Sequence, residues 1–462
     1  MGSAGGGGSG GDDGAVTEPD QVAPAAGAPG ALGGTGLTRG WLLAGLAVVV
    51  ALIPLAFLGP GTDIDVGAVL RSGISIVEDG TYRMSRAPGA PVHETAVGVL
   101  HAVGGTLGPN LGSLVAATAL VLLLASLLRR EGVGRGGLSV AVVVANPWFL
   151  ASAVSTVDFL WALALWAGAA LVLRTRRTLG GAAVAGLLGG LAVGTRASTA
   201  VLVAVLALAE ALDHRRADRV RGDPTAGSGA DAAPDRPIDG PGVDTAIAEH
   251  RADAPSPVVR AGIALVVAAA VGLLLFVPGF RAAESSLGFA QNDVPTSSFA
   301  VQVGRFVVKD LYFFGPFAAV VLVLCGPAVA RVLGRWRSDW LVRVGLLTVV
   351  ASQLLFLRFP WKMGHLLPTL VGLALLLARA LGDRPRLLVA LVATQLLYAF
   401  VSVTLIRPDT PNAATGGRFT FEVRPGALVT DVRCRADDPD AWEAPTPDRI
   451  FAVWDCAKPW AE

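Results

Sequence analysis

The chain contains 462 residues, of which 53% are hydrophobic and only 16% are charged. These proportions, together with a positive mean hydropathy, lie outside the range of soluble domains and indicate a polytopic membrane protein surrounded by lipids. The formal net charge is +1, which excludes an overall basic surface for nucleic acid, so we expect no nucleic-acid partner.

The first segment, residues 1–38, is rich in Gly, Ala, Pro and Asp and has no basic region ahead of an apolar stretch. Such a composition buries too little apolar surface to fold, and it lacks the organisation of a signal peptide. The sequence therefore predicts a disordered cytoplasmic tail, with the first membrane anchor at Trp41 to Leu58.

Apolar stretches long enough to cross a bilayer, ~20 residues each, recur along the rest of the chain. They predict an all-α polytopic fold with about eleven transmembrane helices. A further stretch, 92–107, is shorter and carries Glu94 and His101 two turns apart on one face, which predicts an interfacial amphipathic helix instead of a span. The predicted spans are 41–58, 111–128, 136–154, 158–173, 179–195, 197–212, 260–278, 311–331, 341–357, 365–381 and 387–406.

Arginine-rich loops predict the orientation, because Arg and Lys in short loops favour the cytoplasm. With the N-terminus and these loops inside, the segments 59–110, 279–310, 358–365 and 407–462 fall on the extracytoplasmic side. We expect a multi-pass protein of the plasma membrane and cell envelope with a cytoplasmic N-terminus and an extracytoplasmic C-terminus. The basic loops carry Arg129, Arg130, Arg135, Arg174, Arg176, Arg177, Arg331, Arg335, Arg337, Arg343, Arg379, Arg384 and Arg386.

A polar segment divides the membrane region into two halves. Residues 213–259 begin with several arginines and continue in Asp, Ala, Pro and Gly, which predicts a disordered cytoplasmic linker. The linker separates an N-terminal half, 39–212, from a C-terminal half, 260–406. The N-terminal half includes the external loop 59–110 that contains the interfacial helix.

The last segment, 407–462, is a small polar tail that contains Cys434 and Cys456. If the tail is extracytoplasmic, a disulfide between these two residues is chemically reasonable. The alternative is two unpaired thiols.

Two carboxylates follow the first predicted span. Asp63 and Asp65 occupy positions i and i+2, an arrangement suited to binding a divalent metal ion or to a general base. The alternative is an acidic loop that solvates a helix end. A third carboxylate, Asp158, opens a later span at the predicted outer surface, where it either caps the helix or joins the first two in one acidic site.

The external loop continues through Arg86 and a Pro-Gly-x-Pro run to His93 and Glu94. Proline fixes φ and glycine permits unusual backbone angles, so the run is suited to fold the loop back and position these three side chains. The alternative is a simple turn followed by the polar edge of a helix.

Cationic groups occur at other predicted outer boundaries. Arg196 interrupts an otherwise apolar pair of spans, where a charge requires a partner or a cavity. Arg358, Lys362 and His365 form a second group suited to a phosphate, with anchoring to lipid headgroups as the alternative. Weaker candidates of the same kind are Arg305, Lys309 and Asp310.

The order of these features resembles the GT-C superfamily of polyprenyl-phosphate-sugar-dependent glycosyltransferases, which includes protein O-mannosyltransferases and aminoarabinose transferases. The resemblance covers residues 41–405 and rests on Asp63 and Asp65, the long external loop, Asp158, and the segment from Arg358 to Pro368. It implies a GT-C-like fold and transfer of a sugar from a polyprenyl-phosphate donor to an external lipid, glycan or protein. Where relatives often have His-Pro-Pro or Glu-Lys-Pro, this chain has Arg86-x-Pro-Gly-x-Pro-x-His93-Glu94.

On this hypothesis Asp63 or Asp65 deprotonates the acceptor, with or without a divalent metal ion held by Asp63, Asp65 and Asp158. No other cofactor is expected. The residues proposed to bind the donor are Arg86, His93, Glu94, Arg196, Arg358, Lys362 and His365. The alternatives from other classes are a transporter or flippase of a lipid-linked intermediate, and a membrane scaffold.

Overall fold

The computed structural model describes residues 39–61, 64–213, 255–282, 298–360, 362–406 and 420–432. Several predictions lie outside these residues: the disordered tail 1–38, most of the linker 213–259 and of the tail 407–462, the role of Asp63, and the disulfide between Cys434 and Cys456. The described residues belong to one compact unit that begins at Arg39.

Helices make up most of the described chain. In the first half they are α1 (Arg39–Ala56), α2 (Ile64–Glu78), α3 (Pro91–Gly104), α4 (Leu107–Arg130), α5 (Gly136–Val144), α6 (Pro147–Ala153), α7 (Phe159–Thr175), α8 (Leu179–Thr195) and α9 (Thr199–Ala211). In the second half they are α10 (Pro257–Ala282), α11 (Phe299–Phe314), α12 (Pro316–Leu333), α13 (Trp340–Arg358), a 3-10 helix (Met363–Leu366), α14 (Leu367–Ala380), α15 (Pro385–Phe400) and α16 (Ala427–Val432).

Among the described residues, five helices are long and apolar enough to cross a membrane, or six if α5 and α6 count as one broken span. Four shorter apolar helices are α7, α8, α9 and α15. The prediction of a helical membrane protein is therefore confirmed, while the count of about eleven spans stays a prediction. The five long segments are Leu107–Arg130, Pro257–Arg281, Pro316–Leu333, Trp340–Arg358 and Met363–Ala380.

Two predicted spans differ from the structure. The stretch 136–154 is two helices bent by 72° at Asn146, whose side chain caps α6 by accepting from Trp148 N. The stretch 387–406 leaves the helix after Phe400 and continues as a strand, β1 (Val401–Ile406), paired antiparallel with β2 (Thr420–Pro425). The all-α prediction is therefore wrong at this end, because four of the six residues of β1 are β-branched and favour an extended chain.

Close contact between α8 and α10 joins the two halves of the chain. A Cβ on Gly186 would lie 2.6 Å from Ala264 O, and one on Gly190 would lie 2.6 Å from Val271 Cβ. Glycines four residues apart on one helix face allow two backbones to approach in this way. The spacing of these glycines therefore allows helix α8 of the N-terminal half to pack closely on α10.

The external loop predicted at 59–110 contains two helices, although the sequence predicted only the second. Helix α2 packs on α3 where Gly73 meets Gly98, since a Cβ on Gly98 would lie 2.1 Å from Gly73 O. Helix α3 occupies the stretch predicted as interfacial, but its Glu94 is fully buried. The alternative in which Glu94 is only the polar edge of an interfacial helix is therefore wrong, because the side chain lies inside the protein.

Candidate active site

Five charged side chains from separate segments form an ion-paired group, here called the charged cluster: Asp65, Arg86, Asp158, Arg196 and Lys362. Arg86 Nη1 donates to Asp65 Oδ2 at 2.6 Å, and its Nη2 donates to Asp158 Oδ2. Arg196 Nη1 donates to Asp158 Oδ1 at 2.6 Å, and Lys362 Nζ lies 2.7 Å from Asp65 Oδ2. Arg86 thus bridges two carboxylates, and each carboxylate has a second cation of its own.

Asp158 reaches the cluster because the loop before α7 docks on the end of α1. Thr156 N donates to Pro60 O at 2.8 Å, and Thr156 Oγ1 donates to Asn110 Oδ1 at 3.0 Å. Asn110 Nδ2 in turn donates to Ala56 O at 2.9 Å. Asp158 makes no side-chain bond that caps α7, so its ion pairs, and not capping, account for its position.

Glu94 organises the loop that carries Arg86. It accepts hydrogen bonds from the Tyr82 hydroxyl at 2.5 Å, from Ser85 N at 2.9 Å, from the Ser85 hydroxyl, and from Ala90 N at 3.1 Å. Glu94 is fully buried, so its carboxylate is occupied by the protein's own donors. It acts on the site by positioning Arg86, the residue after Ser85, and is not placed to contact a ligand.

Lys362 reaches Asp65 from the segment between α13 and α14. The segment is fixed from one side by Lys309 Nζ, which donates to Pro360 O at 2.7 Å. On the other side it packs against α7, since a Cβ on Gly364 would lie 2.5 Å from the Phe159 ring. Only a glycine at this position allows so close an approach of the segment to α7.

A small, mostly apolar cavity of about 30 Å³ adjoins the charged cluster. Arg196 and His365 contribute polar groups to its wall, and the Arg196 guanidinium stacks 4.0 Å from the Phe159 ring centre. Such a wall can contact part of an apolar chain whose anionic end lies at the charged groups. The cavity is lined by Phe159, Ala162, Leu163, Arg196, Ser198, Thr199, Val201, Leu202, Ala351, Ser352, Leu355, His365 and Pro368.

Two further residues proposed to bind the donor form no ion pair with the described residues of the charged cluster, although His93 is close enough for the charges of Asp158 and Arg86 to act on it. His93 is fully buried, contacts the Trp161 ring edge-on at 5.5 Å, and has no hydrogen-bond partner for either nitrogen within the described chain. Arg358 is exposed, with its guanidinium 4.7 Å from the Phe359 ring centre, and makes no ion pair with any described residue of the charged cluster. The position of Arg358 fits its alternative assignment as an anchor for lipid headgroups.

The cations control the protonation of both acids. Burial alone would raise the pKa of Asp65, but Lys362 and Arg86 lower it well below its ordinary value of 3.8. Burial also opposes ionisation of Asp158, yet Arg196 and Arg86 lower its pKa to about 2. Both groups are therefore carboxylates at neutral pH, and both are weak bases while their cations stay in place.

The charged cluster contains carboxylates, which can bind a cation, and cationic side chains, which can bind an anion. Across the described ranges, no group of three or more His, Cys, Asp or Glu side chains is arranged to hold a metal. The described members of the charged cluster are three cations and two carboxylates, and Asp65, Arg86 and Lys362 make further contacts besides these ion pairs. Asp63 lies outside the described residues, so its metal-binding role stays a prediction, and we assign no step to a metal.

Sequence reasoning missed the residues that assemble the site. Asn110 and Thr156 dock two loops together, and Lys309, proposed only as a weak phosphate contact, positions Pro360 instead. An amide at the edge of a predicted span was the only sequence signal for Asn110, because a polar group there needs a partner. Its partners are backbone carbonyls of another helix, which no local pattern specifies.

Comparison with known proteins gives one structural similarity. No known family model matches the chain, and no curated protein sequence matches it. The fold is similar to the crystal structure of ArnT from Cupriavidus metallidurans bound to undecaprenyl phosphate, with a TM-score of 0.50 and 14% sequence identity. The similarity covers 75% of this chain and 61% of that one, so the chain spans less than two thirds of the length of ArnT. At this identity the similarity establishes the fold alone: the protein is a helical membrane protein whose fold is similar to that of ArnT.

Proposed function

We propose that this protein is a membrane glycosyltransferase that moves a sugar from a polyprenyl-phosphate donor to an extracytoplasmic lipid, glycan or protein. The observation that carries the proposal is the charged cluster beside an apolar cavity whose wall includes Arg196. A donor of this kind needs cations beside its phosphate and an apolar surface beside its hydrocarbon chain. The charged cluster and the cavity wall are suited to these two roles. The similarity to a structure of ArnT bound to undecaprenyl phosphate supports this choice of donor.

In this proposal the donor phosphate lies against Arg196, Lys362 and Arg86, and the prenyl chain follows the apolar wall. The two arginines suit a phosphate because their planar groups donate in pairs. His365 contacts the donor from the cavity wall. Because these cations face the phosphate, they stabilise the negative charge that develops on it as the sugar leaves, which is where electrostatic help lowers the barrier most.

The chemical step exchanges one bond for another at the anomeric carbon. The bond from that carbon to the donor phosphate oxygen breaks, the acceptor oxygen forms the new bond, and the acceptor proton passes to a carboxylate. Asp65 is the described candidate for this base, with Asp63 as the second, and Asp158 positions Arg86 and Arg196. When the phosphate attracts Arg86 and Lys362, the pKa of Asp65 rises toward its ordinary value, so donor binding strengthens the base.

A lipid-intermediate transporter is the second candidate, and the 72° break between α5 and α6 is the observation that favours it. However, the break is fixed by a buried network, in which Asn146 Nδ2 donates to Phe313 O at 3.0 Å and to Gln395 Oε1 at 2.8 Å. A gate has to open, and a break tied to two other helices resists opening. We therefore prefer the transferase.

The test is turnover by purified protein in liposomes containing undecaprenyl-phosphate sugars and a cell-envelope extract as acceptor source. We expect release of undecaprenyl phosphate that falls at least ~100-fold in Asp65→Asn or in Asp63→Asn, in keeping with loss of a general base. Glu78→Gln is the matched control, because Glu78 is exposed on the same helix as Asp65. Full activity in both Asp variants ends the assignment, and lipid movement across the bilayer without sugar transfer favours the transporter.

A further inference from the structure

A second polar group lies between α11, α13 and α14, outside the charged cluster. Gln353 Nε2 donates to Asp310 Oδ1 at 2.8 Å and to Thr369 Oγ1 at 3.4 Å. The Thr369 hydroxyl also lies 2.9 Å from Ser352 Oγ. The sequence predicted Asp310 only as a weaker candidate of the same kind as the phosphate-binding group, together with Arg305 and Lys309, yet its described bond is to the neutral amide of Gln353.

Two oxygen atoms of this group are buried without a donor. Asp310 Oδ2 and Gln353 Oε1 have no hydrogen-bond partner in the described part of the chain. Buried acceptors in native proteins are nearly always satisfied by protein, water or a ligand. The two residues are bonded to each other through their other polar atoms, so the two unsatisfied oxygens belong to neighbouring side chains with a fixed relation.

The position of the pair relates it to the proposed donor site. Ser352, adjacent to Gln353 on α13, lines the cavity. Lys309, adjacent to Asp310 on α11, binds Pro360 of the segment that carries Lys362. The two helices are also fixed to each other by their aromatic residues, because the Phe306 and Phe356 rings pack with centres 5.9 Å apart.

The chemistry of the pair selects its ligand. Two acceptors without a donor repel a phosphate, and two oxygens are too few to replace the six or more ligands of a hard metal ion. Each hydroxyl group supplies one donor, so a ligand with two neighbouring hydroxyl groups can satisfy one acceptor on each of the two side chains. A sugar carries such a pair, and its phosphate is the group proposed to lie at Lys362.

We propose that Asp310 and Gln353 form the subsite that recognises the donor sugar, by accepting hydrogen bonds from two neighbouring hydroxyl groups. This inference rests on the proposed function, since it assigns the sugar to the polyprenyl-phosphate donor. Sites that hydrogen-bond substrate hydroxyls discriminate strongly against ligands that lack them, because their own polar groups are then left unpaired. The pair therefore contributes to affinity for the sugar-bearing lipid and contributes nothing to affinity for the lipid phosphate alone.

The experiment compares binding of undecaprenyl phosphate with binding of undecaprenyl-phosphate mannose, glucose and arabinose to the full-length protein in nanodiscs. The variants are Asp310→Asn, which keeps the Oδ1 acceptor and replaces only Oδ2 with a donor, and Gln353→Met, which keeps side-chain length. Thr394→Ala is the control, because among the described residues its hydroxyl bonds only to its own helix, at Ala390 O and Leu391 O.

We expect each variant to weaken binding of the preferred sugar lipid by roughly tenfold or more, while the affinity for undecaprenyl phosphate stays within about twofold. An equal loss for both lipids indicates a structural role and overturns the subsite. No loss for any sugar lipid in either variant also overturns it, while leaving the transferase intact. If the unchanged protein binds none of these lipids, the proposed function itself fails and the subsite fails with it.

Discussion

Replacing Arg86 by Lys tests whether one guanidinium must bridge two acids. Arg86 uses Nη1 for Asp65, at 2.6 Å, and Nη2 for Asp158. A lysine has a single nitrogen at the end of a flexible chain, so it can occupy one of these positions but cannot bridge both with the same geometry. The substitution keeps the charge and removes one charge-assisted hydrogen bond.

The expected cost follows from that one bond. A hydrogen bond to a charged group contributes about 1.5–3 kcal/mol, and each 1.36 kcal/mol corresponds to a tenfold change in rate. The Arg86 side chain is 27% exposed, and both acids keep a second cation, so we expect the lower part of this range. Turnover of undecaprenyl-phosphate sugars should therefore fall roughly 10- to 30-fold in Arg86→Lys, and further in Arg86→Met.

Arg83→Lys provides the matched control, because Arg83 is an exposed residue of the same loop. It should leave turnover within about twofold, as expected for a surface substitution. If Arg86→Lys has the turnover of the unchanged protein, the bridge between Asp65 and Asp158 does not matter for the reaction, and the reasoning from the charged cluster is refuted.

The remaining predictions concern stability, measured as thermal unfolding of purified protein in detergent. The pKa of Asp158 is lowered to about 2 in the folded protein from its ordinary value of 3.8. Its ion pairs therefore stabilise the fold above about pH 4, and this contribution is lost as the pH falls toward 2. Asp158→Asn should flatten the pH dependence of the melting temperature in that range. Burial lowers the pKa of His93 from 6.5 to about 4, so the folded protein favours the neutral imidazole. Stability is therefore lost as the pH falls from 6.5 toward 4. His93→Leu should remove this dependence of the melting temperature on pH. Gly186→Ala should lower stability by about 1–3 kcal/mol through overpacking, because the new Cβ would lie 2.6 Å from Ala264 O. Gly262→Ala is the control and should not lower stability, because a Cβ there would have no atom within 4 Å. Equal melting temperatures for the two alanine variants would contradict close packing of α8 on α10.

The sequence was sufficient to predict the helical membrane fold, because apolar stretches of bilayer length leave the chain few other structures. It also singled out Asp65, Asp158, Arg196 and Lys362, since a charge beside an apolar span requires a partner or a cavity. The pairing of these residues with one another could not be predicted, because ion pairs between distant segments depend on how the helices pack.

The errors have physical causes of the same kind. Helix α2 was missed because its fifteen residues are too short to span a bilayer and its apolar face packs on α3. Glu94 was expected to contact the sugar donor, but its carboxylate already accepts hydrogen bonds from Tyr82, Ser85 and Ala90. The strand Val401–Ile406 was included in a span because hydropathy alone does not separate an apolar strand from a helix.

Ion pairing by itself does not identify the functional site, because a second network of described residues is as extensive. Arg174 pairs with Glu131 at 2.8 Å and with Asp213 at 3.1 Å, Arg343 lies 3.5 Å from Asp213, and Arg260 lies 2.9 Å from Glu210. That network pairs three arginines with three carboxylates, and none of its residues lines the cavity. Buried ion pairs are weak sources of stability, so pairing alone does not distinguish one network from the other. The adjoining cavity, with Arg196 of the charged cluster in its wall, is what favours the charged cluster as the place where we propose that the donor binds.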